Sequence, residues 1–579
     1  MKKQIFSIIC SLALTACAPT LGTNTHKKAK PSSKANEEFT EFLNQDFKDT
    51  LMRDYTTLHQ YLVDPQAAGI DVDKVDVNMG HIGFTEQDKK DHEALKEKMA
   101  SFDYSSLDET QQAIYDQYEF DNEIVDELIK DKYKYLGNNW SSGGGAASNL
   151  VNYFESIYTI NNEQDIKNLI ILIEDCPRYT NDIMEHTRTQ AEKGLLSFNY
   201  EEVISSLDTT IASQENSTVY QSLSAQVDAL KLSDEKAEKY KTQICEALDK
   251  DFYPCFTTMK TGLEELKDQV QPYTGLANKE NGKKYYEMIL RSNTGTEKSP
   301  TAIRRELASA LTKEIAKMNA EYEEAEIITQ FDSPEAVLQF QAENYEKHYP
   351  KVDIPEYNIQ DLPDEQCSPS VVAYYVPTPI DDNSTNQMRF NQRDYGQETT
   401  TVDFYTTFCH EGIPGHMYQH AYNRQNFQYD IQHLLDCSAF TEGFASYIQG
   451  RSLYDLENVS KSSIRSYNAL NNINNYLVCM MDIDINYNGL TFEEFSEMYG
   501  DLFGQDAMEG IYNQLCDIPG TFLSYYYGAY RIEKLRDMAE DELGDKFDEV
   551  KFHDALLKYG SMNFEIVENS IDQYIEENE

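Results

Sequence analysis

Four of the eleven histidines in this chain fall between positions 410 and 433, and two of them lie in the run Phe408-Cys409-His410-Glu411-Gly412-Ile413-Pro414-Gly415-His416. Neutral imidazole is a good zinc ligand, and a carboxylate beside a metal can act as a general base. The familiar HExxH arrangement sets two histidines one turn apart on a helix, so that both face one ion. Here the separation is six residues. At 3.6 residues per turn, six steps rotate by about 600°, so in an unbroken helix His416 would point well away from His410. Pro414 and Gly415 suggest the remedy. Proline disrupts the helical ladder and glycine opens dihedrals closed to other residues. The expectation is a break at that pair that swings His416 back toward His410.

The elements that must hold this cluster read as overwhelmingly helical. Long segments carry apolar residues three and four apart with few Gly or Pro inside them. Asp108 to Tyr135 is one; Glu163 to Ala191, with Ile166, Leu169, Ile170 and Ile173 on one side, is another. Asn216 to Leu266 reads as two or three helices, followed by Thr301 to Ala325 and Ser333 to Tyr349. Two stretches break the pattern. Trp140 to Ser148 contains Gly143-Gly144-Gly145, a loop suited to bordering a cleft; it follows no strand and lacks the GxxxxGK pattern of a phosphate loop. From Ser368 to Phe390, Val371, Val372, Tyr374, Tyr375 and Val376 are β-formers between prolines, with Met388-Arg389-Phe390 as a partner strand. The expected fold class is mostly α: a large helical domain with an active-site groove and a small β-sheet just before the histidine cluster. No linker divides residues 37–579, which read as one large domain.

Ahead of that domain the chain reads as an export signal. Lys2 and Lys3 precede a short apolar run, Ile5 to Ala16, too short to span a bilayer permanently. Leu14-Thr15-Ala16-Cys17 resembles a bacterial lipobox, which implies cleavage after residues 1–16 and lipidation of Cys17. Residues 17–36 are rich in Thr, Ser, Pro, Lys and Asn, and form a tether that cannot bury enough apolar surface to order itself. The expected location is outside the cell, at the membrane surface, held by the lipid alone. Loss of Lys2 and Lys3 takes the formal charge from −50 to −52, which argues against nucleic acid or an anionic bilayer face as a partner. Besides Cys10 and Cys17, eight cysteines are scattered without a CxxC pair, so neither a zinc ribbon nor a thioredoxin motif is supported.

His410-Glu411-Gly412-Ile413-Pro414-Gly415-His416 resembles the HExxPGH motif of the domain-of-unknown-function 885 family, regarded as zinc peptidases. Further landmarks agree. Thr441-Glu442-Gly443-Phe444-Ala445-Ser446-Tyr447 is similar to that family's EGWAxY segment. Pro519-Gly520, Tyr525, Gly528 and Arg536 resemble its PG…Y..G…R segment, and Phe552 to Leu557 with Gly560 its closing helix. Asp64-Pro65 to Gly69 is similar to its opening, so the likeness runs from about residue 40 to the C-terminus. It implies that His410, His416 and Glu442 hold Zn2+, that Glu411 is the general base, and that a peptide is the substrate. Three protein ligands leave one position for water, as a catalytic zinc requires. The same resemblance makes Tyr525 the candidate oxyanion donor, against a default role in core packing. It makes Arg536 either a binder of a substrate carboxylate or a brace. The chain departs from the pattern at Phe444, Gln449 and Thr521, none of them a ligand or base in this reading.

His420 and His433 read as surface residues or neighbours of the site, His553 as structural and Cys409 as a buried inert thiol. Two functions follow. One is a lipid-anchored zinc peptidase outside the cell. The other is a non-catalytic lipoprotein that binds peptides or scaffolds partners, a role suited to a helical groove in a chain with 41 tyrosines.

Overall fold

The structure, a computed structural model, describes residues 31–141, 145–321, 327–362, 367, 371–382 and 385–579. The expected export signal with Cys17, most of the tether, and Gly143-Gly144 lie outside the described residues. Among the described residues no helix is long and apolar enough to cross a membrane.

The fold is mostly helical, and its helices begin where the sequence supplies caps. The first, α1 (Glu37–Met52), starts after Asn36, whose side chain accepts from the Phe39 N–H. A capping box opens α2 (Glu109–Leu128): Asp108 accepts from Gln111 N–H at 2.9 Å while the Gln111 side chain accepts from Asp108 N–H at 3.2 Å. This helix stops well short of Tyr135, because the chain leaves the helical path and buries Tyr133 and Leu136. Asn162 and Asp165 form the same kind of box for α3 (Glu163–Glu192), which buries Ile166, Leu169 and Ile173 completely and leaves Ile170 only half-buried. Residues 216–266 form three helices, Thr218–Ala229, Asp234–Ala247 and Tyr253–Glu265. Next come α4 (Gly282–Thr294) and α5 (Pro300–Glu321).

The small sheet has three strands, β1 (Tyr357–Asp361), β2 (Ala373–Val376) and β3 (Asn386–Phe390), in the order β1-β3-β2. The expected pair, β2 and β3, is antiparallel, while β1 joins the far side of β3 in parallel. Met388 and Phe390 of β3 point into the core, so the central strand alternates as the pleat demands. β1 escapes a sequence reading because only Tyr357 and Ile359 mark its inner face and the rest is polar.

The motifs singled out in the sequence fall on helices after this sheet, α6 (Val402–Glu411), α7 (His416–Asn426), α8 (Ser438–Ser452) and α10 (Thr521–Leu543), with α9 (Lys461–Asn486) between the last two. One hydrophobic cluster fills the N-terminal half. A second packs β3, α6, α7 and α8 together, and a third joins α4, α5, α9 and the start of α10. The metal-type residues lie on the elements of the second cluster, and α10 contributes to both the second and the third. All eight described cysteines are free thiols.

Candidate metal centre

Thr401 caps α6, its hydroxyl accepting from Phe404 N–H at 3.2 Å, and the helix runs to Glu411. There it breaks as the sequence requires. Residues 412–415 leave helical geometry, with Ile413–Pro414 cis, and α7 begins at His416. The turn is closed by Gly415 N–H donating to Cys409 O at 2.9 Å and Tyr418 N–H donating to Gly412 O at 3.2 Å. Any Cβ at position 415 would sit 1.9 Å from His410 O, so only glycine lets the chain fold back this closely. The two imidazoles consequently meet edge to face, with ring centroids 4.8 Å apart at 88°.

Glu442 reaches the same place from α8. Its Oε2 lies 3.6 Å from His410 Nε2 and 3.4 Å from His416 Nε2. The donor atoms of His410, His416 and Glu442 all fall within 4.8 Å of one another. Ligand atoms bound tetrahedrally to zinc at about 2.0–2.1 Å are about 3.4 Å apart, so the two N···O separations fit a shared ion. The donors are of the right chemistry: two imidazoles and a carboxylate from three different helices. Glu442 Oε2 is buried there without a hydrogen-bond partner among the described residues. A buried orphan acceptor is costly unless something satisfies it. The residues present therefore fit a divalent cation.

The fourth residue of the motif faces the same space. Glu411 Oε1 stands 3.8 Å from His410 Nε2, and its other oxygen, Oε2, accepts from the backbone N–H of Tyr375 on β2 at 2.9 Å. The edge strand of the small sheet thus fixes the rotation of the carboxylate. A backbone donor leaves no trace in residue identity, and sequence reasoning missed this contact; the β-formers around Tyr375 were its only signal.

The electrostatics are those of a site with surplus negative charge. Burial lowers the basicity of His416, but the Glu442 and Glu411 carboxylates outweigh it and push the imidazole up to about 9. Burial opposes the charge on Glu442, yet His410 and His416 outweigh it and bring the carboxyl down to about 2. Tyr525, on α10, lies parallel to the His410 ring, 9° between planes and 6.2 Å between centroids. Burial and the nearby Glu442 and Glu411 charges raise its phenol well above the ordinary value, so it is a protonated donor at neutral pH.

The remaining sequence candidates fall elsewhere. Arg536 ion-pairs with Glu540 at 2.8 Å and Glu549 at 3.1 Å, in a cluster with Arg451 and His348. Of the two roles open to it, bracing matches these partners, which lie apart from the three metal-type side chains. His420 is pushed down to about 4 by burial and by Arg424, and lies against Tyr375 with ring centroids 6.1 Å apart. His433 packs on Phe427. His553 is completely buried between His348 O and the Tyr447 hydroxyl. Cys409 is fully buried and its thiol is pushed up to about 12 by burial, which leaves it inert.

Comparison with solved structures finds the same architecture in other proteins. The crystal structure of a "putative lipoprotein" from Colwellia psychrerythraea superposes with a TM-score of 0.77 at 16% identity, over 93% of this chain and 99% of that one. A "putative lipoprotein of unknown function" from Shewanella oneidensis gives a TM-score of 0.57 at 15% identity, over 91% and 98%. At such identities the likeness shows the fold alone. No curated protein matches this sequence. The family described as "Bacterial protein of unknown function (DUF885)" matches residues 67–571, and the chain belongs to that family.

Proposed function

We propose that this protein is a zinc-dependent hydrolase acting on peptides. The observation that carries the reading is the convergence of His410, His416 and Glu442, with a fourth side chain, Glu411, held against them by the Tyr375 N–H. His410, His416 and Glu442 would hold the ion. Zinc bound there supplies a Lewis acid that acidifies water and polarises a carbonyl.

The chain's own residues do the rest. Glu411 accepts a proton from the attacking water as the new C–O bond forms. It then passes that proton to the amine nitrogen as the C–N bond breaks. The free lone pairs of Glu411 stay aimed because Tyr375 N–H occupies one oxygen. The Tyr525 hydroxyl, protonated at neutral pH, donates to the oxygen that gains charge in the tetrahedral transition state.

The same reading places the protein outside the cell, anchored through a lipid on Cys17. The lipobox-like Leu14 to Cys17 supports it, together with the description of the Colwellia and Shewanella proteins as a "putative lipoprotein". The direct test is incubation of the zinc-loaded mature chain with a diverse peptide mixture, read by mass spectrometry. Cleavage that stops with a chelator and returns with zinc is the expected result. Bound zinc without turnover on any peptide would favour a binding protein instead.

A further inference from the structure

A cavity of about 270 Å³ opens where Leu136 to Asn138, Tyr273 to Leu276, Lys279, α4 and the segment Cys516 to Thr521 meet. Thr521, on its wall, is the first residue of α10, and Tyr525 follows four residues later. Residues i and i+4 share a helix face about 6 Å apart along the axis, so the cavity sits one turn from the tyrosine that faces His410. Its volume is just below the range of about 300–1,000 Å³ typical of whole small-molecule sites, which suits the end of a peptide rather than a complete ligand.

The wall carries one cation. Lys279 forms no ion pair and no side-chain hydrogen bond among the described residues. Burial lowers its basicity and outweighs Cys516 and Asp517, which act the other way. An ammonium with no carboxylate in contact, on the wall of a cavity in a chain of net charge −50, is available to receive an anionic group. The one acid on the wall does not pair with it. Asp517 is already engaged: Tyr273 Oη donates to its Oδ2 at 2.6 Å and Asn138 Nδ2 to its Oδ1 at 2.7 Å. Burial pushes Asp517 up to about 6, which further weakens it as a counter-ion in mildly acidic solution.

We propose that Lys279 in this cavity receives a carboxylate of the peptide substrate, which makes the protein selective for peptides that place a free carboxylate shortly beyond the cleaved bond. The chain end is the natural source, and an acidic side chain near it is the other. The proposal rests on the peptidase reading of the metal centre.

Binding separates the two ideas, because it does not need turnover. The mature chain carrying Glu411→Gln is titrated calorimetrically with three short N-acetylated peptides: one ending in leucine as the free acid, the same one as the amide, and an amide ending in glutamate. The expected result is at least about tenfold tighter binding of the free acid than of the leucine amide. Lys279→Gln should reduce acid binding to the amide level and leave the amide unchanged, and Lys279→Arg should restore most of the difference. If the glutamate amide alone gains affinity, the side chain is the source of the carboxylate. Equal binding of all three peptides to the parent chain, or no binding of any, overturns the proposal, and neither outcome depends on how the Lys279 variants fold. Discrimination without cleavage by the unmodified zinc-loaded chain removes the peptidase reading alone. Cleavage without discrimination removes the carboxylate site alone.

Discussion

Gly443 and Gly528 touch where α8 crosses α10: a Cβ on Gly443 would lie 2.6 Å from Gly528 Cα, and one on Gly528 would lie 2.1 Å from Ala439 O. The neighbours of these two glycines are residues of the candidate site. Glu442 precedes Gly443, and Tyr525 lies one turn before Gly528. The absence of two side chains therefore brings Glu442, the proposed third ligand, and the proposed oxyanion donor to the same side of one crossing.

Gly528→Ala should force the helices apart, since the obstruction is backbone and cannot rotate away. Overpacking of this kind costs about 1–3 kcal/mol. The expected result is a lower melting temperature together with weaker zinc binding in a competitive chelator titration. Unchanged zinc affinity would show that the crossing does not set the position of Glu442.

Glu411→Gln keeps the shape of the side chain, and its amide oxygen can still accept from Tyr375 N–H. It should retain zinc and lose about 10²–10⁴-fold in kcat, the usual range for general-base catalysis. Retained turnover in a variant shown to hold metal would remove Glu411 from the chemistry.

Tyr525→Phe removes only a hydroxyl from a ring that lies parallel to His410. If that hydroxyl serves the transition state, kcat should fall about 10²–10³-fold with KM nearly unchanged. A change confined to melting temperature would return Tyr525 to core packing.

How much of this was legible in the chain depends on which kind of contact held it. The helix break was legible, because Pro414 and Gly415 between two histidines leave few other conformations. The mostly helical body followed from apolar spacing and caps. Glu442 was reachable only through a likeness to a family pattern, since no local rule links it to a motif 26 residues earlier. The Tyr375 N–H was out of reach, because every non-proline residue offers the same donor. The Gly443–Gly528 contact depends on two helices meeting across 85 residues of chain, and the sequence supplied both glycines without the crossing. Arg536 stayed open between two roles for a related reason: its partner Glu549 lies on a different helix, and an arginine in a highly acidic chain has many possible counter-ions.

The cluster around Glu549 gives stability a pH signature. His348 contacts Asp455 at 3.3 Å and Glu549 at 2.6 Å, and these carboxylates push it up to about 9. The folded imidazole holds its proton more tightly than the unfolded one, whose value is about 6.5. Its contribution is therefore complete below about pH 6.5 and is lost as pH rises through about 9. Melting temperatures from pH 6 to 10 should fall more for the parent chain than for His348→Gln. Parallel curves would show that this histidine does not tie the helices together.

The proposed function requires three side chains from three helices to share one ion. Metal content of the purified, dialysed mature chain, measured by mass spectrometry beside His410→Ala, His416→Ala and Glu442→Ala, tests this directly. The account predicts about one zinc per chain in the parent and its loss in each variant. A parent chain that holds no metal and takes up none on titration, or variants that bind zinc as the parent does, would contradict it.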